Sequence, residues 1–441
     1  MPDELAVLLE GMPAGVVRQE SGELSFVYEE SWRQRDDSYP LSLSMPLVQR
    51  EHGDAVVRPF LEGLLPDNES ILQAWGRRFG VSARNPFSLL RYVGEDVAGA
   101  AQFVAPEALE KAMQRVGEIE WIDEAQIAQR LRTLAEDHSA WRQSGDPGQF
   151  SLAGAQPKTA LYRTGDRWGI PSGATPTTHI LKPPTIGLDH FVENEHLCLR
   201  LAQELELSAA SSEIRRFEDQ LAIVVERYDR DVAQGQVVRI HQEDMCQSAG
   251  VSPRTKYEAE GGPGVTGIVR LLRDNSNAAA EDIDRFVAAL ALNWIIGGSD
   301  AHAKNYSVLM AVGQVRLAPL YDLVSLLPYP SLEIPRKIKL AMKIGGEYRL
   351  GFIARRHWQR LAQDNDLDPD RVVARVIELA TAARQTVERV VATEISRGLD
   401  PEFGRKFHSI VASNAENCLV ALGDRHPSMG GAGGRVYDSW L

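Results

Sequence analysis

The chain has 441 residues, of which 48 are Lys or Arg and 61 are Asp or Glu, so its formal net charge is −13. This acidic balance argues against broad non-specific binding to nucleic acid, which depends on Lys and Arg to neutralise phosphates. Hydrophobic residues make up 44% and charged residues 25%, which excludes a disordered tail protein. The length suits several domains or one large two-lobed enzyme.

The distribution of apolar residues and cysteines predicts the cellular compartment. The longest apolar stretch, residues 286–296, includes Asn293 and is far shorter than the roughly 20 residues that a membrane helix needs. The start Met-Pro-Asp-Glu lacks the basic and apolar segments of a secretory signal. Cys198, Cys246 and Cys418 are too far apart for a disulfide framework or a paired metal site. We therefore expect a cytoplasmic protein.

Short strand-like runs separated by Gly and Pro turns dominate the first hundred residues. They include residues 24–28, 41–45 and 55–57, whereas residues 71–79 have the spacing of a short helix. This part of the chain is predicted to be a small β-rich module. No fixed-period repeat or low-complexity tract interrupts the rest of the chain, which argues against solenoids and propellers.

The remaining chain alternates between predicted strands and predicted helices. Residues 106–145 have helical spacing, with Trp121, Ile122, Ile127 and Leu131 as an apolar stripe. Further strands are predicted at 158–162, 167–170, 179–182, 221–226 and 306–312, and further helices at 194–206, 284–297 and 352–395.

The most informative stretch is residues 297–305, Gly-Gly-Ser-Asp-Ala-His-Ala-Lys-Asn, between an apolar helix and a strand. Asp300 and Asn305 are five residues apart, and Asp322 follows a second predicted strand. Phosphoryl transfer needs one carboxylate for the acceptor hydroxyl and oxygen ligands for Mg²⁺ across the nucleotide phosphates. Protein kinases use the same Asp-x₄-Asn spacing and a later Asp. This pattern therefore predicts a catalytic loop.

The other parts of a nucleotide site lie upstream in a matching order. Residues 151–158, Ser-Leu-Ala-Gly-Ala-Gln-Pro-Lys, contain small residues that let backbone N–H groups approach phosphates. Lys182 ends a predicted strand, and residues 224–229 leave a buried strand where a hinge would meet adenine. The loop lacks the Gly-Lys-Ser ending of a P-loop NTPase. The order of these parts along the chain is much more specific for a kinase than any single part is. Asp, Asn and Lys are each common in turns and at strand ends.

With these motifs in place, the sequence resembles the HipA family of bacterial toxin serine/threonine kinases. The matching signatures occur in family order between about residues 40 and 345. They stand at residues 41–47 (LSLSMPL), 60–67 (FLEGLLPD), 151–158 (SLAGAQPK), 176–182 (PTTHILK), 225–229 (VERYD), 242–247 (QEDMCQ), 261–264 (GGPG), 299–305 (SDAHAKN) and 319–322 (PLYD).

The resemblance implies an α+β fold of the two-lobed protein-kinase-like type, related to the lipid kinases. An N-terminal β-rich subdomain, which docks partners, would span residues 1–105, and a nucleotide-binding lobe residues 106–230. An all-helical C-terminal lobe would span residues 231–425, and a flexible tail residues 426–441.

The resemblance also implies roles for individual residues, with ATP and Mg²⁺ as cofactors. Asp300 would be the catalytic base, and Asn305 and Asp322 would bind Mg²⁺. The nucleotide would be held by a loop, a strand lysine, a hinge and the catalytic region: Ala153, Gly154, Ala155, Gln156, Pro157, Lys158, Lys182, Glu226, Arg227, Tyr228, His302, Ala303, Lys304, Asn305, Tyr321 and Asp322.

Ser151 would be the autophosphorylation site. A phosphate there adds a charge of roughly −1.5 to −2 beside the ATP phosphates, which should eject the loop. The resemblance further implies a protein substrate, an aminoacyl-tRNA synthetase and typically the glutamyl enzyme. The implied partner is HipB, a small helix-turn-helix antitoxin that binds operator DNA together with the toxin.

One stretch departs from the family pattern, in which basic residues of the C-terminal lobe help to contact the operator. Residues 361–370 are acidic here, although Arg355, Arg356 and Arg360 precede them. We therefore expect the antitoxin to supply most of the DNA contacts.

Two alternatives remain open from the residues alone. One is a small-molecule kinase acting on a sugar or an aminoglycoside, and the other is a non-catalytic co-repressor that positions a helix-turn-helix partner.

Overall fold

The structure is a computed structural model that describes residues 3–114, 116–143, 145–147, 150–185, 187–233, 235–311, 313–329 and 337–423. The chain divides into two compact units. The first comprises residues 1–184, 215–256 and 307–318, and the second comprises residues 185–214, 257–306 and 319–441. The subdomain boundaries predicted at residues 105 and 230 stay predictions, and the predicted tail, residues 426–441, lies outside the described residues.

The first unit begins with an antiparallel sheet in the strand order β4-β3-β2-β1-β5. Its strands are β1 (Asp3–Leu9), β2 (Met12–Glu20), β3 (Glu23–Tyr28), β4 (Glu51–His52) and β5 (Gln102–Val104). Gly15 on β2 faces the Phe26 ring so closely that a Cβ atom would lie 2.5 Å from it. The helices that accompany the sheet are α1 (Glu30–Arg33), α2 (Asp54–Gly63), α3 (Glu69–Phe79) and α4 (Pro86–Val93).

Two predicted strands of this region are absent at those positions. Residues 55–57 belong to α2, in which Val57, Phe60 and Leu61 are buried on one face. Their spacing is helical, and Gly53 stands at the N-cap, so the short apolar run was too local to decide between strand and helix. Residues 41–45 form a turn closed by an isolated bridge between Ser42 and Met45.

A second antiparallel sheet has the strand order β10-β11-β9-β7-β8-β6. Its strands are β6 (Gly117–Ile122), β7 (Thr159–Thr164), β8 (Arg167–Gly173), β9 (His179–Lys182), β10 (Ser212–Phe217) and β11 (Gln220–Glu226). The helix α6 (Glu124–Glu136) buries Ile127 and Leu131 in the core of this sheet. The short helix α5 (Leu109–Met113) precedes β6.

The predicted helical stripe of residues 121–131 is therefore only partly right. Trp121 and Ile122 lie on β6, where they pair with Gly169 and Trp168 of β8. Trp121 is 40% exposed and is covered by the Arg167 guanidinium, 3.7 Å from its ring centre. The predicted stripe crossed the boundary between β6 and α6, because the apolar end of β6 stands directly before α6 in the sequence.

The first unit is completed by a hairpin, a short sheet and one short helix. The hairpin consists of β12 (Arg230–Ala233) and β13 (Gln236–Arg239), and the sheet has the order β14-β15-β16. The elements are β14 (His241–Asp244), α8 (Met245–Ser248), β15 (Ser307–Ala311) and β16 (Gln314–Leu317).

The second unit is mainly helical. The lobe predicted at residues 231–425 is nevertheless not all-helical, because β13 to β16 lie within that range. Its helices are α7 (Phe191–Glu204), α9 (Val265–Asn275), α10 (Ala279–Ile296), α11 (Arg355–Asp364), α12 (Pro369–Ser396) and α13 (Pro401–Leu422), and β17 (Lys339–Ile344) pairs with β18 (Glu347–Arg349). Asp368 and Asp400 cap α12 and α13, each with Pro at the next position. None of the helices in the described part of the chain has the length and apolar character needed to span a lipid bilayer.

A buried carboxyl group joins distant parts of the first unit. Glu243 on β14 is 1% exposed, and its Oε1 accepts hydrogen bonds from Leu43 N at 2.8 Å and Ser248 Oγ at 3.0 Å. Among the described residues, its Oε2 has no hydrogen-bond partner. Burial disfavours the charged form and raises the pKa of Glu243 to about 7.

We expect this carboxyl group to make stability fall as pH rises from about 4.5 to about 7. In that window the folded chain keeps a proton that the unfolded chain has released, so deprotonation favours unfolding. The loss is on the order of 3 kcal/mol, at about 1.4 kcal/mol per pKa unit. Glu243→Gln should remove this slope in urea denaturation, while Glu118→Gln at an exposed site should keep it. An unchanged slope in Glu243→Gln would contradict the assignment.

Candidate active site

The predicted catalytic loop follows α10, a helix that is buried along most of its length. Gly297 ends the helix at φ 68°, a left-handed conformation that favours glycine. The next residue, Gly298, lies against Asn293, whose Oδ1 would be 2.2 Å from a Cβ atom at that position. The apolar helix and its glycine end therefore fix where the loop starts.

Asp300 lies at the exposed surface of this loop in the second unit. Its carboxylate Oδ1 accepts a hydrogen bond from the Tyr257 hydroxyl at 2.5 Å, and its carbonyl accepts from His302 N at 2.7 Å. The His302 ring stands edge-on to Tyr257, with ring centres 5.1 Å apart. The carboxylate of the predicted base is thus accessible and already engages a hydroxyl group.

Asn305 is buried and closes the loop. Its amide Nδ2 donates to the Asp300 carbonyl at 3.1 Å, and its backbone N–H donates to the His302 carbonyl at 2.9 Å. Because the amide nitrogen is used inside the loop, the amide oxygen is the atom that could bind a cation. Ala303 and Lys304 are also buried.

The segment with Asp322 is tied directly to this loop. Tyr321, the residue before Asp322, donates its hydroxyl to the Lys304 carbonyl at 2.5 Å, so the neighbour of Asp322 contacts the catalytic loop within the second unit. Asp322 itself is exposed and has φ 55°. A non-glycine residue in this region is uncommon, and such conformations concentrate at functional sites.

These side chains suit Mg²⁺ by their donor atoms. An amide oxygen and a carboxylate are the hard oxygen ligands that Mg²⁺ binds, together with water and substrate phosphates. Within the described residues, no group of at least three His, Cys, Asp or Glu side chains is placed to hold a metal ion. A Mg²⁺ site built on Asn305 and Asp322 stays a prediction, in which water and substrate phosphates would complete the coordination.

The predicted phosphate loop lies in the first unit. Ser151 is completely buried, and its hydroxyl donates to the Leu64 carbonyl at 2.8 Å. Its backbone N–H donates to the Asp96 carbonyl at 3.0 Å. The Ser151 hydroxyl is thus sequestered in this conformation of the loop.

Lys158 folds back across the loop that it ends. Its ammonium group donates to the Ala153 carbonyl at 2.6 Å and lies 5.2 Å from the centre of the Trp141 ring. Gly154 has φ 103°, and a Cβ atom there would lie 2.6 Å from Lys158 Nζ. Asp67 N donates to the Gly154 carbonyl at 3.1 Å. The tight curl of residues 153–158, which include Ala155, Gln156 and Pro157, therefore requires glycine at position 154.

Lys182 occupies the end of β9, as predicted. It is buried at 7% exposure and pairs across the sheet with Ile223 of β11. An interior strand is a rigid support for this lysine, and its predicted contact with the nucleotide phosphates stays a prediction.

The side chains of the predicted hinge mostly bond other residues of the first unit. Glu226 is exposed at the end of β11, whereas the Arg227 side chain is buried and bonds Asp229. The Tyr228 hydroxyl bonds Gln242, and burial raises the pKa of Tyr228. The side chains of Arg227 and Tyr228 therefore serve the packing of the first unit. The Arg227 N–H is also used, because it donates to the Thr178 carbonyl at 2.9 Å, so the contact of this segment with adenine stays a prediction.

Comparison with known proteins shows which family this chain belongs to. The model of the HipA-like C-terminal domain matches residues 150–391, and the model of the HipA N-terminal domain matches residues 5–104. The chain belongs to the HipA family of serine/threonine kinase toxins. The α+β kinase-like fold predicted from the sequence motifs is thereby confirmed.

Individual relatives cover most of this HipA-family chain. Y4mE of Sinorhizobium fredii is 36% identical over 91% of this chain and 94% of its own length. The serine/threonine-protein kinase toxin HipA of Shewanella oneidensis is 34% identical over 74% of this chain and 77% of its own length. The solved complex of Shewanella oneidensis HipA with HipB and operator DNA matches with a TM-score of 0.80 and 26% identity, covering 95% of this chain and 98% of that chain.

One feature of this HipA-family chain escaped the sequence analysis, namely a buried ionic cluster behind the hinge. Asp96 and Asp229 are surrounded by Arg227, Arg230 and Arg239. The arginines hold the pKa values of both aspartates below their ordinary value against the effect of burial. The charged run 227–231 directly after a buried strand was the available signal, but Asp96 is too distant in sequence to be linked to it.

Proposed function

We propose that this chain is an ATP- and Mg²⁺-dependent protein serine/threonine kinase that acts as the toxin of a toxin–antitoxin pair. One observation carries the catalytic part. The Tyr321 hydroxyl bonds the Lys304 carbonyl, so the segment that contains Asp322 contacts the loop that contains Asp300 and Asn305. This contact supports a shared site for the base and the cation ligands within the second unit.

In this proposal Asp300 accepts the proton of a Ser or Thr hydroxyl as its oxygen forms a bond to the γ-phosphorus of ATP. The bond from the γ-phosphorus to the bridging oxygen breaks, and ADP leaves. Asn305 and Asp322 would hold Mg²⁺, which neutralises the developing charge on the phosphates. Lys182 and the backbone of residues 153–158 would bind the phosphates, with His302, Ala303 and Lys304 lining the catalytic side.

Radiolabelled ATP and an acceptor panel test the reaction class. The panel contains bacterial aminoacyl-tRNA synthetases, with the glutamyl enzyme first, together with free sugars and aminoglycosides. We expect Mg²⁺-dependent transfer to a synthetase, blocked by EDTA. Transfer to a sugar or an aminoglycoside alone would favour the small-molecule kinase, and no turnover with any acceptor would favour the co-repressor.

Autophosphorylation at Ser151 is the second part of the proposal. The Ser151 hydroxyl is sequestered against Leu64, so the loop has to leave this position before the hydroxyl can react. The added phosphate could not return to the buried site without a large desolvation cost. A phosphorylated loop would therefore stay displaced, and the nucleotide site would lose its cover.

Mass spectrometry after incubation with ATP tests this part. We expect a phosphate on Ser151 and a loss of ATP affinity of at least about tenfold in the phosphorylated chain, because the ejected loop removes contacts to the phosphates. Ser151→Ala should keep its ATP affinity after the same incubation. A phosphate found only at other residues would contradict the proposal.

A small helix-turn-helix antitoxin is the proposed partner, supported by the match to a HipA that was solved with HipB and operator DNA. The net charge of −13 suits a toxin that reaches operator DNA mainly through this antitoxin. Co-expression with a HipB-like helix-turn-helix protein should give a stable complex. Operator binding in a gel shift should require the antitoxin, and binding by the kinase chain alone would contradict this division of roles.

A further inference from the structure

Tyr257 lies at the predicted base although no motif of the reaction requires a tyrosine there. Its hydroxyl donates to Asp300 Oδ1 at 2.5 Å. Its ring packs edge-on against His302 at an interplanar angle of 84°. Both contacts lie within the second unit and involve the catalytic loop itself.

The chain holds Tyr257 in this position by an ordered turn. The Tyr257 carbonyl accepts hydrogen bonds from the N–H groups of Glu260 and Gly262, each at 3.0 Å. The next side chain, Glu258, accepts from Lys343 N of β17 at 2.7 Å. Gly264 packs on Glu258 so closely that a Cβ atom would lie 2.5 Å from its carboxylate. The Gly-Gly-Pro-Gly motif at residues 261–264 thus shapes the turn that presents Tyr257.

The Tyr257–Asp300 bond has the chemistry of a substrate contact. A general base must accept a hydrogen bond from the hydroxyl that it deprotonates, at roughly 2.6–3.2 Å between heavy atoms. A Ser or Thr acceptor would make this bond through its own O–H group. In the structure the phenol O–H of Tyr257 makes it instead, at an exposed carboxylate that an incoming chain can reach.

We propose that Tyr257 is a specificity-determining gate, whose hydroxyl occupies the place of the acceptor Ser or Thr hydroxyl at Asp300 and is displaced by a bound protein substrate. This inference rests on the proposed kinase function. The gate makes the site selective. An acceptor has to make further contacts with the protein, outside Asp300, before its hydroxyl can replace the Tyr257 hydroxyl at the carboxylate. Water and small alcohols make no such additional contacts, so they replace the Tyr257 hydroxyl less readily than a bound protein substrate does.

The expected size of the effect follows from competition. When only a fraction of molecules has a free base, the apparent affinity for the acceptor falls by that fraction. A hydrogen bond to an exposed carboxylate biases this equilibrium by roughly threefold to tenfold. Tyr257→Phe keeps the ring on His302 and removes the hydroxyl, so it should lower the KM for the acceptor by this factor. The KM for ATP should stay unchanged.

A peptide pair provides the test. The acceptor is a synthetic peptide with the sequence of residues 145–158, in which Ser151 is the only hydroxyl-bearing residue, and its partner has Ala in place of that Ser. Binding of both peptides, fluorescently labelled and without ATP, is measured for the wild type, Tyr257→Phe and Tyr162→Phe. Tyr162 lies on β7 against Trp121 and controls for loss of a tyrosine hydroxyl elsewhere.

We expect Tyr257→Phe to bind the Ser peptide roughly threefold to tenfold more tightly than the wild type, with no gain for the Ala peptide. Tyr162→Phe should match the wild type for both. Equal affinity of the wild type and Tyr257→Phe for the Ser peptide would overturn the gate. The gate would also be overturned if Tyr257→Phe had a lower kcat at unchanged KM in phosphoryl transfer from radiolabelled ATP to the Ser peptide. That result would make Tyr257 a positioning residue for Asp300. Failure of the kinase proposal would give a different result, because neither the wild type nor Tyr257→Phe would then transfer phosphate.

Discussion

Replacing Asp300 by Asn is expected to abolish phosphoryl transfer while ATP binding survives. The amide has nearly the same shape as the carboxylate, and its oxygen can still accept the hydrogen bond from Tyr257. It cannot take up the proton of the acceptor hydroxyl. General-base catalysis contributes roughly 10²–10⁴ in rate, so we expect a loss of about a thousandfold in single-turnover transfer from radiolabelled ATP.

The control for this variant is Asp274→Asn at an exposed position of α9, where the carboxylate lies 4.0 Å from Arg270. This variant should transfer phosphate as the wild type does, and both should bind ATP with wild-type affinity in calorimetry. Activity of Asp300→Asn within threefold of the wild type would remove Asp300 from the role of base. Loss of ATP binding in the same variant would show a structural role instead.

The elements that matter for the site were predictable from local sequence. The strand ending at Lys182 and the helix before Gly297 are decided by patterns within a few residues, namely an apolar strand and a long apolar helix with a glycine end. The order of motifs from residue 151 to residue 322 indicated the family, because several weak signals in one order are far more specific than any one of them.

What the sequence could not show depends on contacts between distant residues. Ser151 is buried against Leu64, and nothing near Ser151 in sequence indicates this. Tyr257 reaches Asp300 across 43 positions, so the gate is invisible to a motif search. Arg227 was predicted at the adenine, yet its side chain is taken by Asp229. In each case a polar side chain finds its partner only after the fold forms.

The largest loss of stability is expected from Asp96→Ala. Asp96 Oδ1 accepts from Arg230 Nη2 at 2.9 Å and from Arg239 Nε at 3.2 Å, and Oδ2 accepts from Thr177 N at 2.9 Å and Thr177 Oγ1 at 2.7 Å. Removing this carboxylate leaves buried arginines with Asp229 as the remaining carboxylate of the cluster. Breaking a buried ion pair by removing one partner costs about 3–5 kcal/mol.

Denaturation in urea, followed by tryptophan fluorescence, measures this loss, with Asp166→Ala in the exposed β7–β8 turn as the control. Asp166→Ala should differ from the wild type by less than about 0.5 kcal/mol. If Asp96→Ala were equally mild, the cluster would be held by its remaining hydrogen bonds and Asp96 would be dispensable.

The pH dependence of the same variant separates charge from packing. The arginines hold the pKa of Asp96 below its ordinary value of 3.8, so its stabilising effect is fully present above that value and is lost as pH falls towards the folded-state pKa. The difference in the free energy of unfolding between the wild type and Asp96→Ala should therefore be constant from pH 8 to pH 5 and shrink in acid.

The Asp96 carbonyl also accepts the N–H of Ser151. Faster hydrogen exchange at Ser151 in Asp96→Ala would link this ionic cluster to the release of the phosphate loop, and unchanged exchange would confine its role to stability.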